Sequence, residues 1–270
     1  MRKKLILAVF ALPAVSLGQT LIEAPDFYNP DFRARRPGSS GVIALTVNNA
    51  VYTQSQSSGD VSWTHGAGGF AEVDTGLAGV ELAAYTETTG DQLVFGRELT
   101  TSGLASALGP LLTSVVGASV LSTWSSQAVV SNLAIVPDQL YEVHFNVASG
   151  DGLPVGLLDT LTFGITNPEI SGGGGSSAEL LDLLGLLSIG TSASDSDYTF
   201  QFTSSQALDS LTFSFDATSL VSLGLLGTAS GNQDVLTFSG FEVVAVPEPG
   251  TISLAAVGAL LLLKRSRSRC

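Results

Sequence analysis

Apolar and polar residues alternate along four short runs in the second half of the chain. Successive side chains of a strand point to opposite faces, and aromatic and β-branched residues favour strands. The alternation therefore predicts four half-buried strands whose apolar members point together into a core. Those members are Tyr141, Val143, Phe145 and Val147 in the first run, Leu161, Phe163 and Ile165 in the second, Tyr198, Phe200 and Phe202 in the third, and Leu211, Phe213 and Phe215 in the fourth.

A fifth run, Leu236–Val243, alternates in the same way but shifts its apolar parity at Gly240. One extra residue in a strand produces such a shift, so we expect a β-bulge at that glycine. Many short strands separated by turn residues are typical of an antiparallel β-sandwich, so we predict a mainly β fold of that class. Less regular strands are expected upstream at Val42–Val47, Val61–Thr64, Val80–Thr86 and Leu93–Leu99.

Three stretches break the strand pattern. Gly103–Ser122 carries leucines at helical spacing around Pro110, and Ser176–Leu187 opens with a sequence typical of a helix capping box. A Leu-Gly-Leu-Leu fragment at residues 184–187 recurs at residues 223–226. We interpret the two copies as equivalent connections over an open edge of the sandwich, and we expect short helical insertions between the strands.

The N-terminus has the organisation of a secretory signal peptide. Three cations at residues 2–4 precede the apolar run Leu5–Val15, and small residues follow it. A basic start, an apolar middle and a small-residue exit direct a chain into export, which involves the Sec translocon and signal peptidase. We predict a signal helix over residues 1–18 that is cleaved between Gly18 and Gln19.

The C-terminus carries a second apolar run. Thr251–Leu263 holds 13 residues without a charge, and a basic cluster follows at once. A helix of that length spans about 20 Å, less than the hydrocarbon core of roughly 30 Å, so we predict a short transmembrane helix that is a poor permanent anchor. Cations on one flank hold that flank in the cytoplasm. The basic cluster consists of Lys264, Arg265, Arg267 and Arg269.

Val246-Pro247-Glu248-Pro249, the apolar helix and the basic tail together resemble the PEP-CTERM sorting signal of Gram-negative bacteria, also catalogued as an ice-binding-protein C-terminal domain. The motif itself is matched by Pro247, Glu248 and Pro249. The resemblance implies that an exosortase, a membrane transpeptidase, recognises the motif and removes the tail. It also implies export, a transient stay at the inner membrane, and sorting to the cell surface or extracellular matrix of a bacterium that makes exopolysaccharide.

The run from Leu140 to Val246 resembles, in its order of strands, the jelly-roll of galactose-binding-like carbohydrate modules. That resemblance implies a jelly-roll-like sandwich. Together with the signals at the ends, it divides the chain into a signal peptide at 1–18, a β-sandwich domain at 19–245 and a sorting signal at 246–270, with its transmembrane helix at 251–263.

The charge distribution narrows the range of functions. Residues 19–248 hold 24 acidic residues and four arginines, a net charge of −20, and every lysine lies near one end of the chain. An acidic surface repels phosphate backbones, which argues against a nucleic-acid partner, and it suits cation-bridged association with polysaccharide. The single cysteine, Cys270, excludes a disulfide framework or a Cys-based zinc site within the chain.

Candidate catalytic residues are few. The chain has two histidines, His65 and His144, and no Gly-x-Ser-x-Gly nucleophile elbow. His144 alternates with apolar residues and is expected on the polar face of a strand, whereas His65 lies near a glycine-rich turn and is expected in a solvated loop. The glycine runs lack the lysine of a phosphate-binding loop. We therefore predict no catalytic residue and no enzymatic activity.

The sequence is compatible with two kinds of binding site, one for a metal ion and one for a sugar. Asp195 and Asp197 are expected in a loop, and their oxygens suit calcium, the one candidate cofactor. A solvated acidic turn is the alternative. Trp63, Tyr85 and Trp124 are candidate sugar platforms, because an aromatic face stacks on the C–H faces of a sugar. A position in the core is the alternative for each of these rings.

These observations predict an exported, non-enzymatic surface or extracellular-matrix protein with exopolysaccharide as its candidate ligand. One alternative is a secreted hydrolase or lyase acting on polysaccharide, since 24 acidic residues always offer carboxylate pairs. The other is a purely structural matrix component without a ligand. The expected partners are an exosortase-type transpeptidase, the Sec translocon, signal peptidase and polysaccharide.

Overall fold

The computed structural model describes residues 19–38, 44–74, 76–103, 119–149, 158–171, 178–179, 196–222 and 231–247. The predicted signal peptide, the predicted transmembrane helix, Glu248, Pro249 and the basic cluster lie outside these residues, as do both Leu-Gly-Leu-Leu fragments. Among the residues described, no helix has the length and apolar character needed to cross a membrane.

The described chain is built almost wholly of strands, and every pairing between them is antiparallel, which confirms the predicted mainly β fold. In chain order the elements are β1 (Thr20–Ile22), α1 (Ala24–Phe27), β2 (Phe32–Arg35), β3 (Ala44–Asn48), β4 (Tyr52–Ser58), β5 (Val61–Gly68), β6 (Phe70–Asp74), β7 (Ala78–Thr89), β8 (Gln92–Gly103), β9 (Ser119–Val130), β10 (Leu140–Ser149), β11 (Leu158–Ile165), β12 (Ile170–Ser171), β13 (Ala178–Glu179), β14 (Ser196–Ser204), β15 (Leu211–Ser222) and β16 (Gly231–Ala245).

The strands form two sheets. Sheet A has ten strands in the order β12-β14-β10-β16-β8-β7-β6-β3, with β1 beside β16 and β2 beside β7. Sheet B has six strands in the order β13-β11-β15-β9-β5-β4. Many neighbours are far apart in sequence, and β16, the last strand, lies between β8 and β10.

An aromatic core lies between the sheets. Phe145 and Phe241 of sheet A meet Phe213 and Phe215 of sheet B, with ring centroids 5.0 Å apart for Phe213 and Phe241 and 6.0 Å apart for Phe145 and Phe215. The ring of Phe27, on α1, stacks on Phe241 at 3.7 Å and closes one side of the core. Interdigitation of this kind is what face-to-face sheets require.

Most apolar residues of the alternating runs are buried in the core, as predicted. The members of the first, second and fourth runs are buried, and so are Tyr198 and Phe202 of the third. Phe200 differs, since it is half-buried and packs against the rim of the core. Among the described strands, β14 is flanked on its outer side by β12, which pairs with the last two residues of β14.

The predicted bulge lies where the apolar parity shifts. The register of β16 against β10 changes between the pairs His144–Glu242 and Asn146–Ser239. Gly240 has a φ of 63°, a conformation that costs glycine little. Phe238 and Phe241 consequently point into the same core although they are three residues apart.

The chain passes from one sheet to the other at two places on the same side of the sandwich, between β3 and β4 and between β5 and β6. β5 belongs to sheet B and β6 to sheet A, and Gly69 between them has a φ of 104°. β4 pairs with β5 in sheet B, and β3 pairs with β6 in sheet A. The two sheets are therefore joined along this side of the sandwich.

Two stretches predicted to be helical contain strands. Residues 119–122 belong to β9 and pair with β15, and residues 178–179 form β13 beside β11. The helical prediction is wrong for these residues, because pairing with a neighbouring strand outweighs the local leucine spacing. The remainder of both stretches lies outside the described residues, apart from Gly103, which ends β8.

Candidate functional site

The C-terminal end of the folded domain is fastened at the point where the predicted sorting motif begins. β16 ends at Ala245, and the N–H of Val246 donates to the carbonyl of Leu140 at 2.9 Å. The side-chain amide of Gln139 donates to the carbonyl of Val246 at 2.5 Å. Pro247 follows directly and is half-buried. The motif therefore starts without a spacer after the last strand.

The predicted start of the mature chain lies at the same place. The carbonyl of Gln19 accepts a hydrogen bond from the N–H of Ala245 at 3.0 Å, and β1 pairs with the end of β16. Gly18, the other residue of the predicted cleavage site, lies outside the described residues. Gln19 and Ala245, which lie at or shortly before the two expected processing positions, are thus side by side.

Both tryptophans lie in the core. Trp63 is 0% and Trp124 is 1% exposed. Their indole N–H groups donate to the carbonyls of Phe27 at 2.8 Å and Gly96 at 2.9 Å. A sugar platform needs an exposed ring face, so this burial corrects the expectation that Trp63 and Trp124 contact sugar.

Tyr85 lies between a glycine and an arginine on the outer face of sheet A. Its ring covers Gly96, where an added Cβ would overlap the phenol, and the guanidinium of Arg33 lies 3.7 Å from the ring centroid. The hydroxyl donates to Asp234 at 2.5 Å, and burial together with this bond raises the pKa of Tyr85 above its usual value. With both faces covered, Tyr85 cannot stack on a sugar, which corrects that expectation as well.

An ion-pair network surrounds Tyr85. Arg33 lies 3.6 Å from Glu87 and 3.1 Å from Glu98, and Arg35 lies 2.6 Å from Glu98 and also contacts Glu81. Burial raises the pKa of Glu87, and the charge of Arg33 opposes that rise. The network attaches β2 to sheet A and balances part of the acidic charge. Sequence reasoning missed it because it depends on the pairing of β2 with β7.

His65 lies in the core of β5 and not in the predicted loop. It is 0% exposed, with Nδ1 2.6 Å from the hydroxyl of Ser126 and Nε2 3.2 Å from that of Thr88. Thr88 donates its proton to the carbonyl of Pro30 at 2.6 Å, so it accepts from Nε2–H of His65, and Nδ1 accepts from Ser126. Burial lowers the pKa of His65 to about 3.

The contact between His65 and Ser126 has the form of a base beside a hydroxyl nucleophile. Ser126 is 2% exposed, and the ring of Phe32 stacks on His65 at 4.2 Å. A nucleophile must reach a substrate, and these side chains face the interior of the sandwich. Their arrangement satisfies buried polar atoms, which is a structural role.

Arg97 points from β8 into the core and is 1% exposed. Its Nε donates to the hydroxyl of Ser122 at 3.0 Å, and its guanidinium carbon lies 5.0 Å from the centroid of the Trp124 ring. Nη1 and Nη2 have no hydrogen-bond partner in the part of the chain that the structure describes. Burial lowers the pKa of Arg97 to about 10, so the group remains charged at neutral pH.

Two further predicted site residues, His144 and Asp197, lie on strands. His144 occupies the polar face of β10, as expected, 3.0 Å from the hydroxyl of Thr199 and 3.3 Å from Glu142. Asp197 is exposed on β14 and pairs with Asn146, so its predicted position in a loop is wrong. Asp195 lies outside the described residues. No group of three or more metal-binding side chains occurs in the described ranges.

The outer face of sheet B carries hydroxyl and amide groups, and we call it the hydroxyl face. The hydroxyls of Ser55 and Thr64 are 2.9 Å apart, as are those of Ser57 and Ser62. Asp216, whose pKa is raised by burial, is the one acid on this face among the described residues of β4, β5, β9 and β15. Other members are Thr53, Thr123, Ser125, Gln127, Thr212, Ser214 and Thr218.

An open groove of about 590 Å³ lies between the loop at residues 133–137 and the loop at residues 207–209. Its lining is mainly apolar, and Asp209 is the one titratable residue among the lining side chains. A single carboxylate does not supply the acid and base that hydrolysis of a glycosidic bond requires.

No protein-family model and no curated protein sequence matches this chain. Among solved structures, the adhesin domain of Epf from Streptococcus pyogenes is similar with a TM-score of 0.34 and 11% sequence identity. The match covers 86% of this chain and 65% of that one, so the chain spans slightly less than two thirds of the adhesin domain's length. A likeness of this degree carries no argument about function.

Proposed function

We propose that this chain is an exported bacterial surface or extracellular-matrix protein that is processed at its C-terminal segment. The observation that carries the proposal is the position of the last described strand, β16, directly before the predicted sorting motif. Sheet A is complete at Ala245, Val246 is fastened by two hydrogen bonds, and Pro247-Glu248-Pro249 follows at once. Removal of the residues that follow Pro247 would therefore leave every described strand intact.

The route that fits this arrangement begins with cleavage of residues 1–18 after export through the Sec translocon. The apolar segment 251–263 then holds the protein in the inner membrane with Lys264 and the other cations of the tail in the cytoplasm. An exosortase-type transpeptidase acts at Glu248 and its flanking prolines, and the jelly-roll-like domain is released to the surface or matrix.

In this proposal the mature domain acts by binding or by assembly and not by catalysis. The base–hydroxyl pair formed by His65 and Ser126 is enclosed in the core, which supports this choice over a hydrolase or lyase. With the three candidate rings buried or covered, the surface that remains for exopolysaccharide is the hydroxyl face. Its side chains both donate and accept hydrogen bonds, as sugar hydroxyls do.

The test is replacement of Pro247, Glu248 and Pro249 by alanine in the full chain. Two prolines keep the segment extended and remove backbone donors, which suits recognition by a protease-like site. We expect the variant to be exported but to stay in the inner membrane with residues 264–270 attached, whereas the wild type loses them. Mass spectrometry of C-terminal peptides from both cell fractions measures this.

Pro168→Ala combined with Glu169→Ala is the matched control, because it removes the same residue types from a loop within the domain. We expect the control to be processed like the wild type. An intact tail on wild-type protein at the surface of a host that has its own exosortase would contradict the proposal.

A further inference from the structure

β4 is a long edge that the described structure leaves open. It pairs with β5 on one side, and no described strand pairs with the other side. It has seven residues, whereas the other strands that end the two sheets, β3, β12 and β13, have five, two and two. Proteins usually keep edge strands short, charged or interrupted, because an open edge pairs with other chains.

The composition of β4 lacks those protective features. Tyr52–Ser58 contains no charged residue and no proline, in a region of the chain with a net charge of −20. The other long strands near sheet edges, β11 and β14, each carry an aspartate, Asp159 and Asp197. Five successive residues of β4, from Thr53 to Ser57, are exposed. The edge is therefore accessible and carries no charge that would repel a copy of itself.

The hairpin determines which backbone groups of β4 are directed outward. A two-residue loop, with Gly59 at a φ of 57°, connects β4 to β5, and Ser58 opposes Val61. The residues that flank such a loop form a hydrogen-bonded pair, and bonded and non-bonded pairs then alternate along the hairpin. The residues whose N–H and C=O point away from β5 are Thr53, Ser55 and Ser57.

We infer that β4 is a pairing edge for a second copy of this chain, with the two β4 strands antiparallel across a two-fold axis. Pairing centred on Ser55 places this residue opposite its own copy and places Thr53 opposite Ser57. These three pairs exchange about six backbone hydrogen bonds and join two copies of sheet B into one continuous sheet.

The side chains of β4 favour a copy of the same strand as the partner. In this register each side-chain hydroxyl that β4 contributes to the hydroxyl face lies opposite a hydroxyl of the second copy. The same kind of contact occurs within the hairpin, where the hydroxyls of Ser55 and Thr64, and those of Ser57 and Ser62, are 2.9 Å apart. Cross-strand hydroxyl pairs of this kind stabilise sheets. The inference goes beyond the proposed function, because it depends on neither export nor processing.

Cysteine cross-linking in the full chain tests the register. Opposed residues of a hydrogen-bonded antiparallel pair have Cα atoms about 5.5 Å apart, within the range that a disulfide bridges. With Cys270→Ser removing the native thiol, we expect Ser55→Cys to form a disulfide-linked dimer under mild oxidation. Thr53→Cys and Ser57→Cys should cross-link when the two variants are mixed, but neither should cross-link with itself.

Gln127→Cys and Gln54→Cys are the matched controls. Gln127 is exposed on the same face at the centre of sheet B, and Gln54 is exposed on β4 but has the opposite parity. We expect the dimer yield of Ser55→Cys on non-reducing gels to exceed both by about ten-fold, because only its thiols are held at bridging distance. Equal yields at the three positions, or no dimer from Ser55→Cys, would overturn the inference.

Ser57→Pro in the Ser55→Cys chain supplies a second test. Proline removes an outward N–H without touching the bonds to β5, so the hairpin is retained. We expect the dimer yield to fall several-fold, and an unchanged yield would count against backbone pairing. A disulfide that links the Ser55→Cys variant to a different protein, in place of the dimer, would also reject the second copy as the partner.

Discussion

Arg97 holds a full positive charge within the sandwich and uses only part of its hydrogen-bonding capacity. Nε bonds to Ser122, whereas Nη1 and Nη2 have no partner among the described residues. An unpaired buried charge is costly, and replacement of buried ionic groups by apolar residues of similar volume is often neutral or stabilising by about 1–4 kcal/mol. We expect Arg97→Met to unfold at an equal or higher urea midpoint than the wild type.

The matched control for this prediction is Arg97→Lys, which keeps the charge but loses the planar contact with Trp124. We expect it to be less stable than both the wild type and the methionine variant. A clear loss of stability in Arg97→Met alone would show that the guanidinium has a partner that favours its charged form.

His65 makes the stability of the fold sensitive to acid. Burial lowers its pKa to about 3, whereas the unfolded chain binds a proton near the usual value of 6.5. Between these values the unfolded state holds more protons, so stability falls as the pH drops, by at most about 1.4 kcal/mol per pH unit from this residue. We expect His65→Gln to flatten the dependence of the unfolding free energy on pH between about 6 and 4.

His144→Gln is the control, because His144 is half-exposed on the polar face of β10. The flattening should be larger in His65→Gln than in His144→Gln, because His65 is fully buried. A slope in His65→Gln that equals that of the wild type would assign the acid sensitivity to the carboxylates alone.

The sequence predicts the burial of single residues well where they repeat with a period of two. Phe213 and Val143 are examples, because each is buried and has polar neighbours on both sides. The sequence predicts the environment of Trp63, Tyr85 and His65 poorly, because the residues around each ring are compatible both with an exposed position and with a position in the core. Gly96 lies beneath Tyr85 because it is the residue opposite Tyr85 in the pairing of β7 with β8. Phe27 lies beside Trp63 because α1 packs against β5, 36 residues away in sequence.

At the scale of elements, β15 is the strand on which the core depends most directly. Phe213 is 0% exposed and meets Phe27 at 5.6 Å and Phe241 at 5.0 Å, so it joins α1, sheet A and sheet B. Removal of a buried phenylalanine ring leaves a cavity, and we expect Phe213→Ala to lower the unfolding free energy by about 3–5 kcal/mol. Urea denaturation measures the loss.

Phe200→Ala is the matched control, because this ring is half-buried and lies at the rim formed by β14. It should cost clearly less than Phe213→Ala. Equal losses at the two positions would mean that the rim and the centre of the sandwich are packed alike.

The sequence predicts at least part of nine of the sixteen described strands, but it predicts neither β9 nor its pairing. Residues 119–122 continue a leucine-rich segment, which suggests a helix, yet they pair residue by residue with the end of β15. A local pattern cannot show that a matching strand is present about 100 residues later, at residues 219–222. The bulge at Gly240 is predicted from the sequence because both of its signs, the shift in apolar parity and the glycine at the shift, are local.

At the scale of the whole molecule, the alternating runs indicate two packed antiparallel sheets but not their order. β16 pairs with β8 and β10, and β7 pairs with β2, β6 and β8. These neighbours are set by long-range packing, for which composition and periodicity hold no signal. The crossing of β5 into β6 at Gly69 was likewise hidden, since one glycine in a glycine-rich stretch is indistinguishable from its neighbours.

The interior position of β16 has a consequence for the time at which the fold can form. β8 and β10 are synthesised well before residues 231–245, and the edges they present to β16 have no partner until that strand arrives. Pairings between distant segments form late, because the intervening chain must first be ordered. A chain that crosses a membrane from its N-terminus would thus remain loose enough to pass until nearly all of it has been delivered. In the proposed export, sheet A could be completed only after residues 231–245 had crossed the membrane.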